Sequence, residues 1–118
     1  MNELSSEDAK IVILARGARL RAYAPHTGVA EGAAVRDTDG RTYAAATIEN
    51  ADPALTTSAL RGAVAAAASS GIRTFEAAAL VTEQPVSAAD LAVLREFGAA
   101  IPVLVAGPDG TVGETLTT

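Results

Sequence analysis

Residues 32–48 read GAAVRDTDGRTYAAATI, two short apolar runs separated by a polar turn. The DTDG segment at residues 37–40 favours a hairpin turn, because Gly40 tolerates the positive φ that such turns require. Residues 32–36 and 42–48 are therefore predicted to pair as strands, with the turn aspartates in solvent. Alanine is a poor strand former, so this prediction depends on the turn.

Helical and strand patterns alternate around this hairpin. A capping box at residues 5–8 (SSED) begins a helix that is predicted to run to about Tyr23. Two more helices are predicted over residues 55–70 and 87–98, and the firmest later strands are residues 75–82 and 101–106. The order α-β-β-α-β-α-β, with a possible short fifth strand, predicts an α/β fold. We expect one domain over residues 1–118, a three-layer α/β/α sandwich around a mixed sheet of four to five strands.

The charge balance and the hydropathy pattern exclude some partners. The chain has 14 acidic and 9 basic side chains, no Trp and only two Phe and two Tyr. Nucleic-acid binding requires a basic face, so it is not expected. No apolar stretch approaches the roughly 20 residues that span a bilayer. The acidic start is unlike a signal peptide, and we predict a cytoplasmic protein without a membrane partner.

The count of cysteine and histidine limits the chemistry further. The chain has no Cys and a single His, which is His26. Disulfides, thiol redox chemistry and cysteine nucleophiles are therefore excluded. A zinc site usually takes three or four side-chain ligands, mainly Cys and His, which one protomer of this chain does not supply. We expect no metal ligands and no cofactor.

Several short motifs resemble the small cytidine deaminases in their order and spacing. Residues 21–28 (RAYAPHTG), followed by GAA at residues 32–34, are similar to the family's opening signature. The stretch TIENA at residues 47–51 stands where the family has Asn-x-Glu-Asn-Ala. Later motifs complete the resemblance, which runs from about residue 6 to the end: PVS at 85–87, VLREFG at 93–98, and PV at 102–103 with PDG at 108–110. The resemblance implies the cytidine deaminase fold.

The sequence departs from the family at the positions that carry its chemistry. Zinc deaminases use Cys or His ligands to activate a water and a Glu to move its protons. Aligned with the family, Ser58 takes the first ligand position and Leu60 takes the position of the catalytic Glu. Residues 87–92 (SAADLA) replace the Pro-Cys-x-x-Cys segment and are about two residues shorter. The resemblance therefore implies a degenerate member without catalytic or metal-binding residues, in which deamination by the family mechanism is not expected.

A remnant ligand site is also implied by the resemblance. Thr47 and Glu49 take the places of the Asn and Glu that bind the ribose hydroxyls, and Val29 replaces the Phe that packs on the base. His26 stands where the family has Tyr. Ser58 opens a helix whose free N–H groups favour an anion. Each residue also has a simpler interpretation: Glu49 as an acceptor of backbone N–H bonds, Ser58 as a helix cap and His26 as a loop residue.

Two further residues are candidates for replacing the metal site. In the family, the Arg at the position of Arg61 donates hydrogen bonds to the zinc-bound thiolates. Because a partly buried guanidinium needs an anion, we predict that Asp90, or failing that Glu49, pairs with Arg61. The alternative is that Arg61 is simply exposed.

Three functions follow from these observations. The favoured one is a catalytically inactive cytidine deaminase homologue that acts as an oligomeric scaffold or interaction protein. The second is a sensor that binds a nucleoside or small anion through the remnant ribose site. The third is a metal-free enzyme that uses Glu49 or His26, although no activated pair is visible. A homo-oligomer, dimer or tetramer, is implied by the resemblance, and the alanine-rich residues 63–68 suit close helix contacts.

Overall fold

The computed structural model describes residues 4–118. A short 3₁₀ turn, Pro53–Leu55, precedes the second α-helix. The helices and strands of the described residues are α1 (Ser6–Arg19), β1 (Gly32–Asp37), β2 (Thr42–Ala46), α2 (Ala59–Ser69), β3 (Phe75–Val81), α3 (Ala88–Arg95), β4 (Pro102–Ala106) and β5 (Val112–Thr117).

The five strands form one mixed sheet in the order β2-β1-β3-β4-β5. Strand β1 is antiparallel to both β2 and β3, whereas β3 and β4 are parallel. The possible fifth strand is present: β5 is an outer strand of the sheet and runs antiparallel to β4. The predicted mixed α/β sheet is therefore confirmed, including its upper number of strands.

The helices cover both faces of the sheet. Helix α1 packs on one face, where Ile11 and Ala15 meet Ala34 and Leu104. Helices α2 and α3 cover the other face, where a larger apolar core contains Leu60. Its other buried side chains include Ala33, Val35, Val64, Leu80 and Leu94. Because successive residues of a strand point to opposite faces, Ala33 and Ala34 belong to different cores. The three-layer arrangement predicted from the sequence is confirmed.

The boundaries of all three helices differ from the prediction, and α3 ends at Arg95 rather than at Gly98. Helix α1 ends at Arg19 rather than near Tyr23, because the Tyr23 backbone pairs with the chain around Ile48. Helix α2 begins at Ala59, not at residue 55. Ile48 and Thr57 exchange both backbone hydrogen bonds, at 3.0 and 2.9 Å. A backbone engaged in that bridge cannot also take part in a helix.

The hairpin turn also differs from the prediction in one respect. Asp37 is not in solvent: it is 1% exposed. Its carboxylate accepts hydrogen bonds from the Asp39 backbone N–H at 2.9 Å and the Arg41 backbone N–H at 2.8 Å, and from Arg41 Nε at 2.8 Å. Burial by itself raises the pKa of Asp37, but these hydrogen bonds outweigh it and hold the pKa below its usual range. The carboxylate thus fixes the turn.

No helix within residues 4–118 combines the length and the apolar character needed to cross a membrane.

The close approach of α1 to the sheet depends on Gly32. A Cβ atom there would lie 2.0 Å from the Ala15 carbonyl oxygen and 2.4 Å from the Arg19 backbone nitrogen. We expect Gly32→Ala to lower the free energy of unfolding by about 1–3 kcal/mol or more, because the helix backbone must move. Urea unfolding followed by circular dichroism measures this change.

Gly17→Ala is the matched control. Gly17 lies within α1, and a Cβ atom there meets nothing within 4 Å. Replacing a helical glycine by alanine should stabilise the protein by up to about 1 kcal/mol. Equal stability of the Gly32→Ala variant and the unmodified protein would contradict the close-contact argument.

Candidate functional site

The candidate site lies at the edge of the sheet where β1 begins and where β2 and β3 end. Gly32 pairs with Ala46 on one side and with Val81 on the other, so residues 31, 47 and 82 meet at this edge. Because α2 follows β2 and α3 follows β3 along the chain, both helices begin near the same edge. We call the group of polar side chains found there the edge site; its members are Glu31, Thr47, Glu49, Ser58, Thr82 and Asp90.

Two members of the edge site, Glu31 and Thr82, were not anticipated from the sequence. The Glu31 backbone N–H donates to Thr47 Oγ1 at 3.1 Å, and the Thr47 N–H donates to the Glu31 carbonyl at 3.1 Å. The Thr82 hydroxyl donates to the Glu31 carboxylate. Strand alternation is the sequence feature that indicates Glu31. Because Glu31 stands two residues before Ala33, its side chain points to the same face of the sheet, which α2 and α3 cover.

Glu49 holds the preceding loop in place. It is 8% exposed, and its Oε1 accepts backbone hydrogen bonds from His26 at 2.9 Å and from Thr27 at 3.2 Å. The Thr27 hydroxyl donates to Oε2. The hydrogen bond from this hydroxyl, supported by the two backbone N–H groups, lowers the pKa of Glu49 despite its burial. Glu49 therefore accepts backbone N–H bonds, as its simpler interpretation predicts.

The remaining loop candidates reach the edge site less directly. His26 is exposed, and it is its backbone N–H that contacts Glu49. Val29 is 38% exposed, and its own N–H donates to the Thr27 hydroxyl at 3.0 Å. The loop therefore brings main-chain groups to Glu49. The roles of Thr47, Glu49, Val29 and His26 in ligand binding stay predictions.

Ser58 and Asp90 join the starts of α2 and α3. Ser58 is the N-cap of α2, and its Oγ accepts a hydrogen bond from the Arg61 N–H at 3.3 Å. The same Oγ donates to Asp90 Oδ1 at 2.8 Å. Asp90 lies in the first turn of α3 and is 5% exposed. The hydroxyl thus caps one helix and binds a buried carboxylate on the other.

The predicted pairing of Arg61 with Asp90 or Glu49 is wrong. The Arg61 side chain is exposed, and no ion pair within residues 4–118 includes it. Asp90 is bound by Ser58, and Glu49 is occupied by the loop. Leu60, at the position of the family's catalytic Glu, is fully buried in the core.

Two cavities accompany this arrangement. One, an open groove of about 370 Å³, begins at Thr82 and runs along the end of β4 and the start of β5, past Gly107 and Glu114. The other, about 240 Å³, lies between α1 and the turn at Asp109. Of these two, the first adjoins the edge site, through Thr82.

The residues of the edge site do not fit the zinc ion of the deaminases. The chain has no thiolate to offer and a single imidazole, which is exposed. No three His, Cys, Asp or Glu side chains within residues 4–118 lie close enough to hold a metal ion. Ser58 and Asp90 are bonded to each other, and a serine hydroxyl is a poor zinc ligand.

The fold and the edge site define a three-layer α/β/α protein with polar groups where two helices begin beside the sheet. A family model described as cytidine deaminase-like matches residues 4–110. A curated relative from Sporosarcina psychrophila, named cytidine deaminase, is 37% identical over 111 residues, covering 90% of this chain and 82% of the relative. The chain belongs to the cytidine deaminase-like family.

Solved structures of the family have the same architecture. The cytidine deaminase from Burkholderia pseudomallei is 28% identical, with a TM-score of 0.86 over 97% of this chain and 93% of the other. The cytidine deaminase from Mycobacterium tuberculosis is also 28% identical, with a TM-score of 0.77 over 89% and 88% of the two chains. The family resemblance and the fold inferred from the sequence are confirmed.

The function predicted from the sequence, an inactive homologue acting as a scaffold or interaction protein, is wrong. The curated relative and the structural neighbours are named cytidine deaminases. None of these findings shows inactivity or supports a scaffold. The departures at Ser58 and Leu60 change the site, but they do not establish that activity is absent.

The lowered pKa of Glu49 predicts a pH-dependent contribution to stability. A carboxyl whose pKa falls on folding stabilises the protein above its unfolded pKa, and this contribution is lost as the pH falls through the folded value. We expect Glu49→Gln to lower the melting temperature at pH 7, because the loop loses its ionised acceptor. The difference from the unmodified protein should narrow below about pH 4.3, where the unfolded Glu is protonated.

Thermal melts from pH 3 to pH 8 provide this measurement, with Glu114→Gln as the control because Glu114 is exposed on β5. If the melting temperatures of Glu49→Gln and the unmodified protein differ by the same amount at every pH, Glu49 does not stabilise the protein through its charge.

Proposed function

We propose that this chain acts on a neutral pyrimidine nucleoside of the cytidine class, bound at the edge site. The names of the family relatives support the ligand class. The observation that carries the proposal is the buried carboxylate of Glu49, held between the loop at His26 and Thr27 next to Thr47. It accepts three hydrogen bonds from the loop, and because an ionised carboxylate can accept about four, one acceptor position is left for a sugar hydroxyl.

The charge of the edge site favours a nucleoside over a nucleotide. Three of its side chains are carboxylates: Glu31, Glu49 and Asp90. Carboxylates accept hydrogen bonds and repel anions, whereas hydroxyl and amino groups donate. A ribose and an amino-pyrimidine supply donors, but a phosphate group supplies more negative charge. The ligand is therefore the unphosphorylated compound.

Titration calorimetry with cytidine and cytidine monophosphate tests this proposal. We expect cytidine to bind with a Kd between about 1 μM and 1 mM, and the monophosphate to bind at least about tenfold more weakly because of charge repulsion. Glu49→Ala should abolish cytidine binding, whereas the control Glu96→Ala, at the exposed C-terminal end of α3, should leave it unchanged. No heat from cytidine at about 10 mM would reject the proposal.

Deamination of cytidine is the second candidate, favoured by the name of the 37% identical relative. The reaction adds water to C4 of the base and releases ammonia, which gives uridine. A group must take a proton from the water and give one to the leaving amine, and a carboxylate does both. Asp90 is the carboxylate held between the starts of α2 and α3. The residues of the edge site do not fit zinc, so the carboxylate would act on the water directly.

Dialysis against a chelator separates this chemistry from that of a zinc enzyme. Because the edge site lacks a ligand set for zinc, we expect chelation to leave the melting temperature unchanged. The rate at which ammonia is released from cytidine should likewise be unchanged by chelation and unchanged when zinc is added back. A fall in either quantity that zinc restores would contradict the metal-free assignment. If no ammonia is released at any protein concentration, the second candidate is rejected and binding remains.

We also propose a cytoplasmic homo-oligomer, in keeping with the sequence. The exposed surface of α2 supports it: Ala65 and Ala66 face solvent there and would let a second helix approach closely.

A further inference from the structure

We propose that Asp90 makes the edge site selective for cytidine over uridine, and that Ser58 holds its carboxylate for this purpose. The inference rests on the proposed function, because it names the group that reads the base of the proposed ligand.

The hydrogen-bonding capacity of Asp90 is largely unused. An ionised carboxylate accepts up to about four hydrogen bonds. In the structure, Ser58 Oγ donates to Oδ1 at 2.8 Å, and no donor within residues 4–118 reaches Oδ2. Asp90 is only 5% exposed, but its Oδ2 is not one of the described atoms that are both buried and without a hydrogen-bond partner. With no described donor, Oδ2 is therefore accessible to solvent. A nearly buried carboxylate with one donor and one open oxygen favours a ligand that donates.

Glu49 differs from Asp90 in this respect. Both of its oxygens are occupied by the loop, through two backbone N–H groups and the Thr27 hydroxyl. Both carboxylates are buried, but only Asp90 keeps an oxygen without a described protein donor. Asp90 is thus the better candidate for discriminating between two bases.

The two carboxylates lie on either side of one backbone bridge. Ile48 and Thr57 form a hydrogen-bonded pair, whose Cα atoms are typically about 5.5 Å apart. Glu49 follows Ile48, and Ser58 follows Thr57 and contacts Asp90. A nucleoside that spans this bridge with its sugar at Glu49 would place its base beside the starts of α2 and α3, where Asp90 lies.

The selectivity arises because cytosine and uracil carry different groups at position 4. At position 4, cytosine carries an amino group that donates, whereas uracil carries an oxygen that only accepts. A carboxylate accepts hydrogen bonds but does not donate them. Asp90 facing position 4 would therefore bind the cytosine amino group and repel the uracil oxygen.

Ser58 fixes the orientation of this carboxylate. Its hydroxyl is held at the N-cap of α2 by the Arg61 N–H, and it donates its proton to Oδ1. With Oδ1 held, the side chain of Asp90 has little rotational freedom, and Oδ2 is left for the ligand. The same contact joins two helices at the positions that the family uses for its metal.

The test measures the ratio of the two affinities by titration calorimetry in the presence of a chelator. For the unmodified protein we expect cytidine to bind at least about tenfold more tightly than uridine, the usual effect of one hydrogen bond to a charged group. Asp90→Asn should bring the ratio to one or below, because the amide also donates. Loss of a merely structural contact would weaken both ligands equally and leave the ratio unchanged.

Ser87→Ala and Ser58→Thr are the two variants that control for effects on the fold. Ser87→Ala removes the cap of α3, whose hydroxyl accepts from the Ala89 and Asp90 N–H groups, but it leaves the carboxylate in place. Its ratio should equal that of the unmodified protein. Ser58→Thr keeps the hydroxyl and should keep the ratio, whereas Ser58→Ala should reduce it. If Asp90→Asn does not fold, the pair of Ser58 variants decides the question.

The outcomes separate the two proposals. If the unmodified protein binds neither nucleoside, the proposed function fails. If it binds both equally, or prefers uridine, the proposed function stands but Asp90 does not face position 4. A cytidine preference that persists in Asp90→Asn also overturns the inference.

Discussion

The burial of β1 on both faces is the constraint on which the rest of the structure depends. All six residues of this strand are buried, with α1 on one side and α2 on the other. Such close layers require small side chains, and at Gly32 even a Cβ atom would collide with the α1 backbone. Because β1 lies between β2 and β3, its starting point fixes where Glu31, Thr47 and Thr82 meet. The position of the edge site follows from helix-to-sheet packing.

The fold could be predicted from local signals, and the departures arise where long-range contacts override them. The turn at Gly40, the capping serines and the alternation of elements predict the sheet and the three helices correctly. The start of α2 differs from the prediction because the pairing of Thr57 with Ile48 is not visible in any local pattern. The burial of Asp37 is a similar case, since a turn aspartate is usually solvated unless a partner such as Arg41 covers it.

The site was harder to predict than the fold, for a physical reason. The resemblance to the family indicates which positions lie at the site, and the structure brings two of them, Ser58 and Asp90, into contact. It does not indicate which neighbour satisfies a carboxylate, because that depends on side-chain direction. Ser58, as the N-cap, reaches Asp90, while Arg61 extends into solvent. Glu31 went unnoticed because only the strand register places its carboxylate beside Thr82.

The contact between Ser58 and Asp90 also shows what holds α2 and α3 together. A hydrogen bond to a charged group contributes about 1.5–3 kcal/mol, whereas a structural zinc site contributes on the order of 10 kcal/mol. The hydrogen bond cannot replace a metal as a source of stability, so the helices must be fixed mainly by their apolar contacts. The fully buried Leu60 and Leu94 supply such contacts on α2 and α3. Replacing the catalytic Glu of the family with Leu60 therefore adds to the core at the same position where it removes a proton carrier. The chemistry that remains at this edge depends on carboxylates, and of the two that are buried, Glu49 and Asp90, only Asp90 has a second oxygen without a described protein donor.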